Sequence, residues 1–375
     1  MTQNLEIQVS VSARTDAGMK RPANEDAFLV ADLTTGRSGL GPEVSTHTMG
    51  ERGSLLIVSD GLGGAAAGEV ASELTVKTIL EKLSESPLDG DVSASLMDAI
   101  TAANQRIWKH AREYPEHAGL GATSTAVLVR GTFAYIAQVG DSRAYLARGS
   151  RIKQITKDQS YAQLLLDSGA ITQEQAVSVP KNIIMQALGT SPTVRAAMTL
   201  AQLNKGDILI LCSDGLSNKV ESDEMLQAVR ESPSLSDACR CLIDMANERG
   251  GEDNITIVAA RFEGEALRSA ADGAAITGTF QALETASYSD DVMKTAADYS
   301  SRLAEQRAAA IKTGVFSAPS IDASVANTND EDDRDEEEDD EAFAARGSGA
   351  KVVITALLVL LALSIYLVYH YFLKQ

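Results

Sequence analysis

Ser-Asp-Gly-Leu occurs twice in this chain, in LLIVSDGLGG at residues 55–64 and in ILILCSDGLSN at residues 208–218, each time directly behind a run of aliphatic residues. Asp60 and Asp214 thus close apolar segments and precede a glycine, which lets the backbone turn tightly and bare a carbonyl. Asp141 ends a third apolar run in QVGDSRAYL, Asp253 opens a fourth in GGEDNITIV, and Glu25 and Asp26 stand just before AFLV. Taken singly, each is explained as well by a turn, because Asp-Gly is a common hairpin pair. Turns account neither for the duplicated motif nor for the adjacent Glu25–Asp26 pair. Five or six convergent carboxylates without histidine would suit a hard cation, Mg²⁺ or Mn²⁺, rather than zinc. Two such ions sharing a bridging aspartate can lower the pKa of a water and clamp the oxygens of a phosphoryl group.

The elements that must position these carboxylates are short strands. SLLIVS (54–59), TAVLVR (125–130), FAYIAQV (133–139), AYLAR (144–148), DILILC (207–212) and NITIVAA (254–260) read as strands, and 68–85, 95–113, 161–169 and 234–251 as helices. The three strands between Gly119 and Arg151 follow one another so closely that antiparallel meanders are expected. Helices before and after a strand-rich middle indicate an α+β sandwich rather than a βαβ repeat.

Composition sets the context. The 375-residue chain carries a formal net charge of -19, so its surface repels phosphate backbones and no nucleic-acid partner is expected. Cys212, Cys239 and Cys241 have no metal-binding spacing and read as reduced core thiols of a cytoplasmic protein. The opening MTQNLEIQVSVSARTD lacks the basic end and apolar stretch of a signal peptide. From Val352 to Leu373 run 22 residues without a charge, flanked by Lys351 and Lys374. As a helix they would span roughly 33 Å, enough to cross a bilayer, with Tyr366, Tyr369, Tyr371 and Phe372 toward one interface. The expected organisation is a domain at 1–263, a flexible linker at 264–349 with a self-repelling acidic block DEDDRDEEEDDE at 330–341, and a transmembrane helix at 352–373. Arg346 and Lys351 agree with a single-pass membrane protein whose domain faces the cytoplasm. The tether of about 85 residues would let the domain range roughly 50 Å from the bilayer.

RPANEDAF, SDGLGGAAAGEVAS, GATSTAVLV, VGDSRAYL, SDGLSN and GEDNITIV occur in the order and approximate spacing of the metal-dependent protein phosphatases of type 2C, and residues 10–262 resemble the bacterial branch of that family. The resemblance implies a four-layer αββα sandwich of two antiparallel sheets and a binuclear Mn²⁺ or Mg²⁺ centre with a third, weaker site. By position, Asp60 would bridge the two ions, with the Gly61 carbonyl on one. Glu25 would be a direct ligand while Asp26 orients a coordinated water. Asp214 and Asp253 would hold the other ion, and Asp141 with Asp214 the third. Arg21 would bind the substrate phosphate, so Arg21, Asp26 and Asp60 carry the catalytic roles. Residues 156–190 match a mobile flap that tunes substrate choice.

Three departures stand out. Many relatives carry histidine where this chain has Ala65 and Val179; neither is a metal ligand in the pattern, so altered substrate handling is expected rather than inactivity. Leu62 stands where eukaryotic relatives place a histidine proposed as general acid; bacterial members commonly lack it, which leaves open protonation of the leaving group by metal-bound water. The implied reaction is hydrolysis of phosphoserine and phosphothreonine in proteins by a metal-activated water, counteracting serine/threonine kinases, some of them membrane-anchored. The rival class is a binding protein that holds phosphoproteins without hydrolysing them, which would be expected to have lost a metal carboxylate. A phosphatase acting on a small regulatory protein differs only in substrate.

Overall fold

The computed structural model describes residues 6–40, 44–63, 67–117, 119–176, 178–180, 183–269, 275–276 and 278–281. The acidic block, the apolar span at 352–373, Ala65 and most of the expected linker lie outside the described residues. Among the described residues no helix is long and apolar enough to cross a membrane.

In chain order the strands are β1 (Gln8–Asp16), β2 (Ala27–Asp32), β3 (Arg37–Ser38), β4 (Ser45–Thr48), β5 (Ser54–Ser59), β6 (Gly61–Leu62), β7 (Gly121–Ala122), β8 (Ser124–Arg130), β9 (Phe133–Val139), β10 (Arg143–Arg148), β11 (Arg151–Gln154), β12 (Ala197–Gln202), β13 (Ile208–Cys212), β14 (Ile255–Glu263) and β15 (Gly278–Gln281). Helices α1 (Ala67–Glu85) and α2 (Val92–Glu113) precede β7, and α3 (Tyr161–Asp167) and α4 (Gln173–Ala176) follow β11. Between β13 and β14 lie α5 (Asp214–Ser217), α6 (Ser222–Glu231) and α7 (Leu235–Glu248).

The strands form a six-stranded sheet, β11-β10-β13-β14-β1-β4, and a seven-stranded sheet, β15-β12-β9-β8-β5-β2-β3, with a small β6-β7 pair. Every strand pairing is antiparallel. One core fills the space between the sheets. A second lies between the seven-stranded sheet and α1 and α2, and a third between the six-stranded sheet and α6 and α7. The architecture is therefore helices, sheet, sheet, helices.

This layering explains why strand segments read as continuous apolar runs rather than alternating ones. In β5, Leu56 and Val58 face the inter-sheet core while Leu55 and Ile57 face the helices. In β14, Val258, Ala260 and Phe262 face inward, and Ile255, Ile257 and Ala259 face α6 and α7. Helix α7 forms because Leu235, Ala238, Leu242 and Ala246 recur at helical spacing and Ser234 caps its start, its hydroxyl accepting from the Asp237 amide at 3.1 Å.

The structure corrects three expectations. The strands β8 and β9 form the expected hairpin, but β10 leaves for the other sheet, where it pairs with β11 and β13. The turn carrying Asp141 is a crossing between sheets, not a hairpin. Helix α6, whose apolar face is short, was not anticipated; its signal is the capping box between Glu221 and Glu224. Cys212 and Cys239 are buried thiols as expected, whereas Cys241 is exposed, two residues on and so on the opposite face of α7.

The chain also does not leave the core at residue 263. Leu267 and Ile276 pack into the inter-sheet core, and β15 extends the seven-stranded sheet along β12. The buried ion pair of Arg148 and Asp207, 2.7 Å apart, holds this segment through an Arg148 Nη1 bond to the Ala275 carbonyl at 3.0 Å. A chain ending at residue 263 is expected to be less stable than one ending at 281 by on the order of 3 kcal/mol, from the lost burial of two aliphatic side chains. Urea unfolding of the two lengths measures this; coincident midpoints would contradict it.

Candidate active site

The duplicated motif has one copy in each sheet. Asp60 follows β5 of the seven-stranded sheet, and Asp214 follows β13 of the six-stranded sheet and opens α5. Asp26 precedes β2, Asp253 precedes β14, and Asp141 sits in the turn that crosses between the sheets. Glu25, Asp26, Asp60, Asp141, Asp214 and Asp253 thus all stand at strand ends.

Short polar contacts fix the segments that carry Glu25, Asp26 and Asp60. Asp60 is strapped to Thr123: its amide donates to Thr123 Oγ1 at 2.9 Å, and its carbonyl accepts from the Thr123 amide at 2.8 Å. Thr123 Oγ1 lies 2.8 Å from Ser142 Oγ, beside Asp141. Ser213 of the second motif donates its hydroxyl to Asp26 Oδ2 at 2.7 Å, linking the two sheets. Asn254, buried, ties down the segment containing Glu25. Its Oδ1 accepts from the Glu25 amide at 2.8 Å, and its Nδ2 donates to the Ala23 and Ala17 carbonyls at 2.9 and 3.0 Å. Gly61 is required by close packing, because a Cβ there would fall 2.1 Å from the Gly68 carbonyl oxygen and 2.5 Å from that of Glu25. The Glu25 carboxylate reaches the first turn of α1, where a Cβ on Gly68 would lie 2.6 Å from Oε2.

The electrostatics follow from burying like charges together. Burial first, then Asp214 and Asp253, push the Asp26 carboxyl up to about 7, against the hydrogen bonds from Thr256 and Ser213 that favour its anion. Burial and the neighbouring Asp214 and Asp158 raise Asp141 to about 8. Burial and Asp253 raise Asp214 to about 6. Asp60 is raised well above the usual carboxylate range by burial and then by Asp26, Asp214, Asp141 and Asp253. Glu25 is raised by burial, with Arg21 opposing. Arg21 Nη2 meets Asp253 Oδ2 at 2.8 Å, and the arginine side chain is half exposed.

Oδ1 of Asp26, of Asp141 and of Asp214 is shut off from water and has no hydrogen-bond partner. An orphaned, desolvated carboxylate oxygen is costly, and three among mutually interacting carboxylates favour a cation. Among the described residues no three Asp, Glu, His or Cys side chains are, as they stand, gathered closely enough to enclose an ion. The donor set is all oxygen, which suits Mg²⁺ or Mn²⁺. Asp26, Asp60, Asp141, Asp214 and Asp253 influence one another electrostatically, as the shifted carboxyls show. Glu25 joins them through Arg21 and Asp253.

A cleft of about 250 Å³ opens beside them, with Asp141, Asp214, Ser217 and Asn218 on one side and Ala162, Gln163 and Leu166 of α3 on the other. Helices α3 and α4 belong to the stretch expected to be a flap, and they carry a small core of their own that includes Tyr161, Leu165 and Val179. Val179, one of the departures noted in the sequence, is one of its buried members. Sequence reasoning missed Ser213 as a partner of Asp26, Thr123 as the strap on Asp60 and Asn254 as the staple on Glu25. The first and third at least adjoin the singled-out aspartates.

Residues 45–254 match the protein phosphatase 2C family. Arg21, Glu25 and Asp26 precede that stretch and are held to it by Asp253, Asn254 and Ser213 respectively. The serine/threonine protein phosphatase PstP of Mycobacterium tuberculosis is 37% identical over 250 residues, 66% of this chain and 44% of that protein. The serine/threonine phosphatase stp of Listeria innocua is 35% identical over 249 residues, covering 65% of this chain and 92% of its own length. A crystal structure of M. tuberculosis PstP superposes with a TM-score of 0.59 at 36% identity, covering 68% of this chain and 99% of that one. Another, of the PstP catalytic domain in complex with 2 manganese ions, gives a TM-score of 0.57 at 34% identity, with the same coverage. The chain spans less than half the length of the M. tuberculosis relative. With the matched stretch covering the strand ends that carry Asp60, Asp141, Asp214 and Asp253, the chain belongs to the protein phosphatase 2C family.

Proposed function

We propose that the domain hydrolyses phosphoserine and phosphothreonine in proteins, using divalent cations held by Glu25, Asp60, Gly61, Asp214 and Asp253, with Asp141 and Asp214 available to a further ion. The observation that carries this is the set of buried strand-end carboxylates with orphaned oxygens beside the half-exposed Arg21 guanidinium. The two manganese ions of the PstP catalytic domain support it by similarity. When bound, Mn²⁺ or Mg²⁺ supplies the positive charge that activates water and neutralises the phosphoryl oxygens. The residues do the rest. Asp26, anchored by Ser213 and with its Oδ1 shut off from solvent, orients the attacking water and accepts its hydrogen bond. Arg21, whose present partner is the partly exposed Asp253, offers a planar fork that matches a phosphate dianion. The cleft between Asp214 and α3 receives the polypeptide around the phosphorylated residue.

The apolar span at 352–373 supports a second part of the proposal, a single-pass membrane anchor with the domain on the cytoplasmic side. Membrane-anchored serine/threonine kinases and their targets are then natural partners. The full chain is expected in the membrane fraction and a chain ending at 349 in the soluble fraction; equal distribution would refute the anchor.

Phosphate release from a phosphothreonine peptide by the full chain should require Mn²⁺ or Mg²⁺ and be lost with EDTA. Asp214→Asn is expected to lower kcat by about a hundredfold or more, and Arg21→Ala to lower kcat/KM by about a hundredfold. A folded, Mn²⁺-loaded protein that releases no phosphate would instead favour the phosphoprotein-binding reading.

The raised carboxyls set a pH dependence of stability. In the metal-free protein Asp214, Asp26 and Asp141 titrate near 6, 7 and 8, above the value of about 4 in an unfolded chain. The folded state therefore binds the extra protons, and their stabilisation, complete below about pH 4, is lost as pH rises through 6 to 8. The melting temperature of EDTA-treated protein is expected to fall between about pH 5 and 8.5, and Mn²⁺ to restore it at the upper end. A flat profile would contradict the burial of ionisable carboxyls.

A further inference from the structure

The flap leaves the sandwich after β11 and returns before β12, and its two ends meet at one residue. Gln159 is 2% exposed. Its amide donates to the Gly140 carbonyl at 2.9 Å, and its Oε1 accepts from the Gly140 amide at 3.0 Å, so it grips the residue preceding Asp141 from both sides. Its Nε2 faces the Gln138 and Arg195 carbonyls at 3.4 and 3.5 Å, and its carbonyl accepts from the Met185 amide at 2.8 Å. Gln138 belongs to the strand leading to Asp141, while Met185 belongs to the flap's return and Arg195 to the segment that joins the flap to β12. One buried side chain and its own peptide groups thus join the start of the flap, its return and the Asp141 turn.

The turn it grips has no slack. Gly140 has φ +93°, and a Cβ there would lie 2.7 Å from Thr123 Cγ2. Thr123 in turn holds the Asp60 amide and Ser142. Parallel contacts reinforce the link: Arg143 Nη2 donates to Asp158 Oδ2 at 2.6 Å, and the Lys157 amide to Gln138 Oε1 at 3.0 Å. A displacement of either flap end must therefore strain the turn that aims Asp141, and through Thr123 the backbone that aims Asp60.

We propose that Gln159 is a positioning residue that couples the order of the flap to the carboxylates of Asp141 and Asp60, so that cation binding there and closure of the flap's base are one linked event. This rests on the reading of those carboxylates as cation ligands. Linkage is reciprocal: if the held turn binds the cation better, the cation must tighten the flap.

The test is made on the full chain with Mn²⁺ alone, by hydrogen exchange and titration calorimetry, neither of which needs turnover. In the wild type, Mn²⁺ is expected to slow exchange of the Gly140 amide and also of the Met185 amide on the returning limb. Gln159→Met, of similar length but without hydrogen bonds, is expected to uncouple Met185 from Mn²⁺ and to bind Mn²⁺ about tenfold more weakly. Gln159→Glu keeps the acceptor for Gly140 while losing the donor toward Gln138 and Arg195, and should recover most of the Mn²⁺ affinity without recovering the response of Met185. In turnover, the Mn²⁺ concentration for half-maximal rate should rise in Gln159→Met with the peptide KM unchanged at saturating Mn²⁺. Wild-type protein in which Mn²⁺ leaves Met185 exchange unaltered, or folded Gln159→Met that binds Mn²⁺ as the wild type does, would overturn the proposal. The wild-type exchange decides even if the variants fail to fold. Mn²⁺ bound with the expected coupling but no phosphate released would sink the phosphatase reading and leave this one standing; no Mn²⁺ binding at all would sink both.

Discussion

Everything in this molecule has to accommodate the mutual repulsion of carboxylates taken out of water. Asp26, Asp60, Asp141 and Asp214 lose hydration and gain one another as neighbours, and both effects oppose ionisation. Left to themselves such groups would take up protons or move apart. The protein instead holds them with backbone and side-chain contacts that involve only one oxygen of Asp26 and one of Asp214, leaving Oδ1 of each without a partner. That is a scaffold made for a positive charge supplied from outside the chain.

The two-sheet architecture is the means. A carboxylate at the end of a strand inherits the rigidity of a sheet buried on both faces, and two sheets packed together bring strand ends from distant parts of the chain to one rim. The repeated Ser-Asp-Gly-Leu places one aspartate on each sheet, and the two serines differ in use. Ser59 Oγ donates to the Thr123 carbonyl within its own sheet, whereas Ser213 Oγ crosses to Asp26. The glycine of each copy lets the backbone pass a neighbouring segment closely; a Cβ on Gly215 would lie 2.0 Å from the Asn254 carbonyl oxygen.

The flap adds a different kind of part. Its small separate core lets it hold its own shape, while its polar attachments at Gln138, Gly140 and Arg143 make the Asp141 turn shared property of flap and sandwich. Segments of low local stability that border a site are where binding and catalysis are tuned. Here the attachment is buried and hydrogen-bonded, so flap motion and carboxylate geometry are not independent.

By itself the sequence determined a good deal. Apolar runs buried on both faces announced SLLIVS and FAYIAQV with the bounds the structure shows, and the duplicated motif and the Glu25–Asp26 pair marked the candidate residues, because turns alone account for neither. What only the tertiary structure decided is who holds whom. Asn254, Ser213, Thr123 and Gln159 are ordinary residue types whose importance lies in partners up to 237 positions away in the chain. The crossing of β10 into the second sheet was equally hidden, since an Asp-Ser turn between two short strands reads locally as a hairpin. Periodicity and composition are local quantities that report burial. Hydrogen-bond partnership, sheet choice and the pKa of a desolvated carboxylate depend on what the rest of the chain brings to the same few ångströms.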